Sequence, residues 1–342
     1  MANPSRRTKT IKWAFGVLFV LTVGFLYGYV PWFLTGIATT SRFRFKDPNN
    51  DKTPKDFGMD FRAVEFRSSD GIHIKGWYIP AMPNEGPEPH GTIIYCHGHN
   101  RTRIEMLPEA QFGHRLGYNG LVFDFRHQGQ SSGNMTSIGY WERLDAEAAV
   151  RYALTQEKAK RPVILWGVSM GAAAALMAAA ESSEVAAVIS DSAFPNFEEL
   201  IRHHYYLFRT LGRRRWWWFP PLPGFPLVAE VTHWIAWRAH FKPRQFDLEE
   251  AVRRTSPRPV LFIAVEGDRR MPPSYAYTLY ADSTSPDKRV LVLPGDRHGE
   301  GFHQANEQYE AAVAEFLSRI SAGTPRGAEL SAPPQSLPTT IK

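Results

Sequence analysis

Ser169 stands in Gly167-Val168-Ser169-Met170-Gly171, behind the apolar run of residues 162–166 and ahead of an alanine-rich stretch at 172–180. That pattern predicts a strand, a sharp turn and a helix. The turn fits G-x-S-x-G, in which glycines flank the serine because the strained bend leaves no room for side chains beside it. A serine hydroxyl is a poor nucleophile at neutral pH until a base takes its proton, and the base needs a third group to hold its tautomer. Both partners occur in comparable settings. Asp268 follows the apolar run 260–265 in Glu266-Gly267-Asp268-Arg269-Arg270-Met271-Pro272, and His298 follows 290–293 in Pro294-Gly295-Asp296-Arg297-His298-Gly299. Read together, Ser169, Asp268 and His298 supply a nucleophile, an acid and a base.

Negative charge developing on an attacked carbonyl oxygen must be met by fixed donors. One is expected from the backbone N–H of Met170, directly after the serine. The other is expected from the backbone N–H of His99 in His97-Gly98-His99-Asn100, where Gly98 permits close approach. Neighbouring groups have plainer readings. His303 is a surface or packing histidine near a helix start, and Asp296 is solvated on the turn that carries His298. Asp191 caps or orients an insertion, and Asp124 and Arg126 form a structural pair beside the site. Cys96, the only cysteine, is a buried core residue, so disulfides within the chain and multi-thiolate metal sites are excluded. No spaced carboxylate and histidine set accompanies the histidines, so no metal or organic cofactor is expected.

The elements that must position these residues alternate. Residues 61–67 and 72–79, separated by Ser68-Ser69-Asp70-Gly71, read as an antiparallel hairpin. Short apolar runs at 92–96, 121–125, 163–166, 185–189, 260–265 and 290–293 then alternate with helical stretches. The pattern predicts a mostly parallel sheet with helices on both faces and active residues at the carboxyl ends of strands. The core is expected over 60–193 and 259–320, interrupted by a lid over 194–258. The lid contains Arg213, Arg214 and Arg215 followed by Trp216, Trp217 and Trp218, which could contact substrate or a membrane surface. Residues 321–342, rich in Pro, Ser, Thr and Ala, read as a disordered tail.

The 342 residues carry 40 Lys plus Arg against 34 Asp plus Glu, a formal charge of +6. This balance is basic without a long tract beside base-stacking aromatics, so no nucleic-acid partner is expected. At the N-terminus a basic segment, 1–12, precedes an apolar stretch at 13–34 long enough to cross a bilayer, and 35–59 reads as a linker. A single-pass signal anchor is the expectation, with a cleaved signal peptide as the rival. The positive cluster Arg6, Arg7, Lys9 and Lys12, without an acidic residue inside it, favours a catalytic domain on the non-cytoplasmic side.

Several segments together carry a resemblance: residues 95–100, Asp124-Phe125-Arg126-His127-Gln128-Gly129-Gln130-Ser131-Ser132-Gly133, the serine pentapeptide, Gly267-Asp268 and His298-Gly299. Over roughly 60–320 the chain resembles the α/β-hydrolase superfamily. It is most similar to that superfamily's membrane-associated, prolyl-oligopeptidase-like and monoacylglycerol-lipase-like serine hydrolases. His127 departs from the glycine that many relatives place after the arginine of that segment. The resemblance implies an α/β-hydrolase fold with a helical lid and hydrolysis of an ester, thioester or amide through an acyl-enzyme. A small-molecule or lipid-like ester is the expected substrate and the bilayer an expected partner; oligomeric state is left open. Peptidase, amidase or thioesterase activity is the alternative within the class, and an inactive membrane-bound scaffold is the alternative outside it.

Overall fold

The computed structural model describes residues 4–40, 49, 51–81, 88–215 and 224–322. An apolar helix leads the chain: α1 (Pro4–Gly24), a wider turn at Phe25–Tyr29, and α2 (Val30–Thr39). The wide turn has a local cause. Pro31 lacks an N–H and its ring would press on the carbonyl four residues back in a regular helix. Bonding shifts by one residue, the Val30 N–H reaching the Phe25 carbonyl. Thr8–Thr39 is long and apolar enough to cross a membrane, with a mean hydropathy of 1.9. The helix extends beyond the expected segment 13–34 at both ends, and part of the expected linker is helical.

Among the described residues, eight strands form one sheet: β1 (Arg62–Arg67), β2 (His73–Ile79), β3 (Thr92–Cys96), β4 (Asn119–Phe123), β5 (Val163–Val168), β6 (Val185–Asp191), β7 (Val260–Val265) and β8 (Lys288–Leu293). Their order across the sheet is β1-β2-β4-β3-β5-β6-β7-β8. The β1–β2 hairpin joins antiparallel to β4, and all other pairings are parallel. Strands β3, β4, β5 and β7 are buried at every residue, which explains their unbroken apolar runs. Alternate residues feed two cores. Ile94, Leu165 and Phe262 pack on the side of α4 (Glu142–Thr155), α5 (Met170–Glu181), α8 (Leu248–Thr255) and α9 (Pro273–Asp282). Ile93, Trp166 and Ile263 pack with α3 (Leu107–Arg115) and α11 (Asn306–Ser321) on the other. The alanines of α5 let it lie buried on β5 with α4 and α8 at its sides.

Two elements depart from the expected pattern for visible reasons. The strand expected at 121–125 ends at Phe123 because the next groups bond elsewhere. The Asp124 carboxylate accepts the Arg103 and Gln130 amides, each at 2.8 Å, and the Phe125 N–H goes to His97 Nε2 at 3.0 Å. The insertion expected over 194–258 contains the lid helices α6 (Phe197–Arg215) and α7 (Leu227–Arg238), whereas α8 buries Leu248 and Val252 against α5 as a core helix. Trp216, Trp217 and Trp218 lie outside the described residues. The tail from residue 323 also lies outside them. The short α10 (Gly301–Gln304) leads into α11.

Candidate active site

The serine turn is built by two backbones that nearly touch. A Cβ on Gly171 would sit 2.0 Å from the Cys96 carbonyl oxygen, and one on Gly167 would sit 2.4 Å from the Gly171 carbonyl carbon. Only glycine fits either position, and α5 can therefore start directly against the end of β3. Ser169 absorbs the sharp change of direction at φ 55°, ψ −115°, a left-handed conformation that costs a non-glycine residue energy. Two hydrogen bonds hold it there. The Ser169 N–H donates to the Asp191 carbonyl at 2.8 Å, and its own carbonyl accepts from the Ala173 N–H at 3.0 Å.

The structure brings the other two predicted residues to this serine. His298 Nε2 lies 2.9 Å from Ser169 Oγ, and His298 Nδ1 lies 2.7 Å from Asp268 Oδ2. The second Asp268 oxygen accepts the Arg270 and Met271 amides at 2.8 and 3.0 Å, which fixes the carboxylate plane. The acid and histidine loops are locked together where the Gly267 N–H donates to the Gly295 carbonyl at 2.9 Å. Burial opposes the charge on Asp268, but the His298 contact and the two amides outweigh it and hold the carboxyl below its ordinary value. Burial lowers His298 against the pull of Asp268, and the charges of Arg270 and Arg101 lower it further. The imidazole is thus neutral near pH 7, with Nδ1–H directed at the aspartate and Nε2 free to accept the serine proton.

Met170 is the first residue of α5, so its N–H has no acceptor within the helix. The close approach of Gly171 to the Cys96 and His97 carbonyls places this amide beside the loop that carries His99. His97 braces the loop: Nδ1 donates to the Gly98 carbonyl at 2.8 Å while Nε2 accepts from Phe125. The Gly98 N–H donates to Glu105 Oε2 at 2.6 Å. Burial pushes the His99 imidazole down to about 4, against smaller opposing effects that include the Ala38 carbonyl at the end of α2. Its Nε2 is buried with no hydrogen-bond partner among the described residues.

Asp124, Arg126 and Asp191 take different roles from those expected. Asp124 and Arg126 do not pair with each other. Asp124 faces Arg103 at 3.5 Å, while Arg126 reaches Asp145 and Asp70, each at 2.7 Å, because partners on other elements meet the two side chains. Asp191 neither caps nor orients the lid. It is buried below the serine, accepting from the Tyr309 hydroxyl at 3.0 Å and from Ser192 Oγ at 2.8 Å. Burial raises it to about 6 against those bonds, and the Asp268 charge adds to the rise. Tyr309 in turn receives the Trp166 indole N–H at 3.2 Å, tying α11 to the strand under the nucleophile. His303 and Asp296 are exposed. Arg213, Arg214 and Arg215 are exposed at the end of α6.

Four contributors escaped the sequence reading. Glu142 is buried and accepts from Thr136, Ser137 and Gly139, which shapes the loop packed on Met170. Tyr309 acts from 140 positions beyond the serine, a separation no local pattern reveals. Arg270 holds a cation within electrostatic reach of His298, His99 and His204. Ala38 meets His99 from the N-terminal helix. The spacing of Pro31, Thr35 and Thr39, four apart, was the available signal that this helix continues and docks. The lid also touches the site: the His203 ring donates to the Arg269 carbonyl at 2.8 Å, and Tyr275 on α9 donates to Glu199 on α6 at 3.0 Å.

Comparison with known proteins agrees with this fold. Residues 93–316 match the alpha/beta hydrolase family. The chain is 27% identical to the uncharacterized protein YqkD of Bacillus subtilis, over 92% of this chain and 99% of that protein. It is 23% identical to protein bem46 of Schizosaccharomyces pombe, over 90% of this chain and 91% of that one. Among solved structures, the Pyrococcus furiosus esterase Pf2001 shares the fold at a TM-score of 0.65 and 22% identity, covering 82% of this chain and 98% of its own.

The serine turn yields a first test. Replacing Gly171 with alanine must push the Cys96 carbonyl or α5 aside, so the variant is expected to lose about 1–3 kcal/mol of stability in denaturant titrations. Displacement of Ser169 by about 1 Å is expected to slow its labelling by an organophosphorus reagent roughly 100-fold.

Proposed function

The chain belongs to the alpha/beta hydrolase family, and from that premise we propose that it is a membrane-anchored serine hydrolase cleaving carboxylic esters through an acyl-enzyme on Ser169. The observation that carries this reading is the unbroken line from Asp268 through His298 to Ser169, at 2.7 and 2.9 Å. In the first half-reaction Ser169 Oγ attacks the substrate carbonyl while His298 Nε2 takes the hydroxyl proton. Asp268 keeps Nδ1 protonated and stabilises the imidazolium that forms. The carbonyl oxygen becomes an oxyanion, which the Met170 and His99 N–H groups would meet as fixed donors. Collapse expels the alcohol, which leaves with the proton from His298. In the second half-reaction water gives its proton to the same nitrogen, attacks the acyl-serine and releases the carboxylic acid.

An ester is favoured over an amide by the setting. An apolar lid lies beside the serine loop, and the N-terminal helix is long enough to place the protein in a bilayer. Both suit an acyl or lipid-like substrate. The basic cluster ahead of that helix supports a catalytic domain on the non-cytoplasmic side. A scaffold without activity would not need a strained serine, a neutral histidine and a carboxylate aligned within hydrogen-bond reach.

A fluorophosphonate probe tests the nucleophile. Folded full-length protein is expected to label once, and Ser169→Ala to lose the label entirely; unlabelled folded wild type would remove the enzymatic reading. Rates on matched oxygen esters, thioesters and anilides then rank the leaving groups. The pH profile tests the base. His298 must be neutral to accept a proton, and its folded value lies below the ordinary 6.5. kcat/KM is therefore expected to fall only as pH drops through a midpoint below 6.5, with a plateau around neutrality. A midpoint above 6.5 would show that another group sets the acid limb.

A further inference from the structure

The N-terminal helix is more than a tether, because its last ten residues belong to the catalytic domain. Pro31, Thr35 and Thr39 form one buried face of α2, which packs on α7. The two threonine hydroxyls turn inward to the helix, Thr35 Oγ1 donating to the Pro31 carbonyl at 2.7 Å and Thr39 Oγ1 to the Thr35 carbonyl at 2.8 Å. They therefore add no unpaired polar group to the contact. At the end of the helix the Thr39 carbonyl accepts from the Thr136 N–H at 3.1 Å. A helix fixed at these points sets the orientation of the whole domain.

The depth of that helix can be read from its aromatic residues. Trp13 and Trp32 are separated by about 29 Å at 1.5 Å per residue, close to the roughly 30 Å hydrocarbon thickness of a bilayer. Indole rings favour the two boundary zones. With Trp32 at a boundary, Pro31 and Thr35 lie at the same level, and so does the part of α7 they pack on.

The two lid helices expose large apolar groups that the fold leaves uncovered. On α7 and just before it, Phe225 is 81% exposed and Trp237 is 72% exposed, with Trp234 in edge contact with Trp237. On α6, Phe208 is 67% exposed and Leu211 is also exposed. Arg213, Arg214 and Arg215 follow at the end of α6. Trp32 and Phe33 of α2 are exposed as well, and the three helices pack in a row, α2 on α7 and α7 on α6. Isolated exposed aromatics are ordinary on soluble surfaces. A run of them on two adjoining helices, next to a docked membrane-length helix and ending in three arginines, matches a surface seated among headgroups and upper acyl chains.

Resting on the membrane-anchored reading above, we propose that α6 and α7 lie in the interfacial zone of the bilayer that the N-terminal helix crosses. We further propose that the active site draws its acyl substrate directly from that bilayer. Geometry links the two halves of the proposal. The interfacial helix α6 is bonded to the acid loop through His203, and the docked end of α2 is bonded to Thr136, whose hydroxyl reaches Met170 Sδ beside the serine. The elements that touch the membrane are therefore the ones that flank Ser169, and an ester in the upper leaflet would have only the lid to pass.

The test uses full-length protein in vesicles of phosphatidylcholine and phosphatidylglycerol. Cys96 is the chain's only cysteine and is buried, so an introduced thiol carries an environment-sensitive fluorophore alone. Labels are placed separately at Phe208→Cys, Trp237→Cys, Val20→Cys in the spanning helix and Gln156→Cys, which lies on the opposite rim at the entry to β5. Nitroxide-bearing phospholipids are then added. The expected result is that more than half the emission is quenched at 208, 237 and 20, and little at 156. Quenching at 20 with none above the 156 level at 208 and 237 would overturn this inference while leaving the anchor in place. Absence of quenching at 20 would overturn the anchor and the inference with it. None of these readings depends on activity, so failure of the hydrolase reading is separately visible in fluorophosphonate labelling. For the second half, Trp237→Asp combined with Phe208→Asp is expected to slow hydrolysis of a long-chain 4-methylumbelliferyl ester embedded in vesicles by at least tenfold. Hydrolysis of the water-soluble acetate should stay within twofold, showing an intact site. Equal rates on the embedded ester before and after substitution would overturn delivery from the bilayer.

Discussion

The closest backbone approach in the site, between the first turn of α5 and the end of β3, governs most of what surrounds it. With Gly167 and Gly171 in place, α5 begins against the Cys96 and His97 carbonyls, and Ser169 is left no relaxed conformation. The strain is local, whereas the restraints on it are distributed. Asp191 holds the serine amide, Tyr309 and Trp166 hold Asp191, and α11 reaches the nucleophile through them. The same approach puts the Met170 amide next to the His99 loop. One steric constraint thus fixes the turn that carries the Ser169 hydroxyl and brings the Met170 amide to the loop proposed to share an oxyanion with it.

The electrostatics follow from burial more than from net charge. His298 is driven toward its neutral form by desolvation and by Arg270 and Arg101, while Asp268 keeps its charge because two backbone amides and the imidazole are aimed at it. A base that is neutral yet oriented by a carboxylate can accept a proton near pH 7 and then be stabilised as a cation. His97 and His99, in the same sequence motif, are neutral for a different purpose: both brace backbone, one toward Phe125 and one toward the N-terminal helix.

Local patterns revealed the grouping of Ser169, His298 and Asp268 well because each of the three side chains sits just after a strand. Strand, turn and helix leave strong marks over about ten residues, and Ser169, Asp268 and His298 were visible through them. The hidden parts act over longer range. Nothing near Tyr309 points to Asp191, and nothing near Asp145 points to Arg126, because those contacts exist only once the sheet is assembled. The pairing expected between Asp124 and Arg126 failed for the same reason: nearness in sequence gave no view of Arg103 or Asp145. The limit placed on the N-terminal helix at residue 34 followed hydropathy alone. The threonines that continue it are polar by composition but turn their hydroxyls inward, so a hydropathy scan undervalues them.

These features converge on one chemical event, transfer of an acyl group to Ser169 Oγ. It can be observed by mixing full-length protein with excess 4-nitrophenyl acyl ester, quenching in acid within milliseconds to seconds, and measuring the mass of the peptide that contains residue 169. The account predicts that this peptide gains the mass of the acyl group during turnover and that Ser169→Ala neither gains it nor hydrolyses the ester. Continued hydrolysis with residue 169 unmodified at every quench time, and at an unchanged rate in Ser169→Ala, would contradict it.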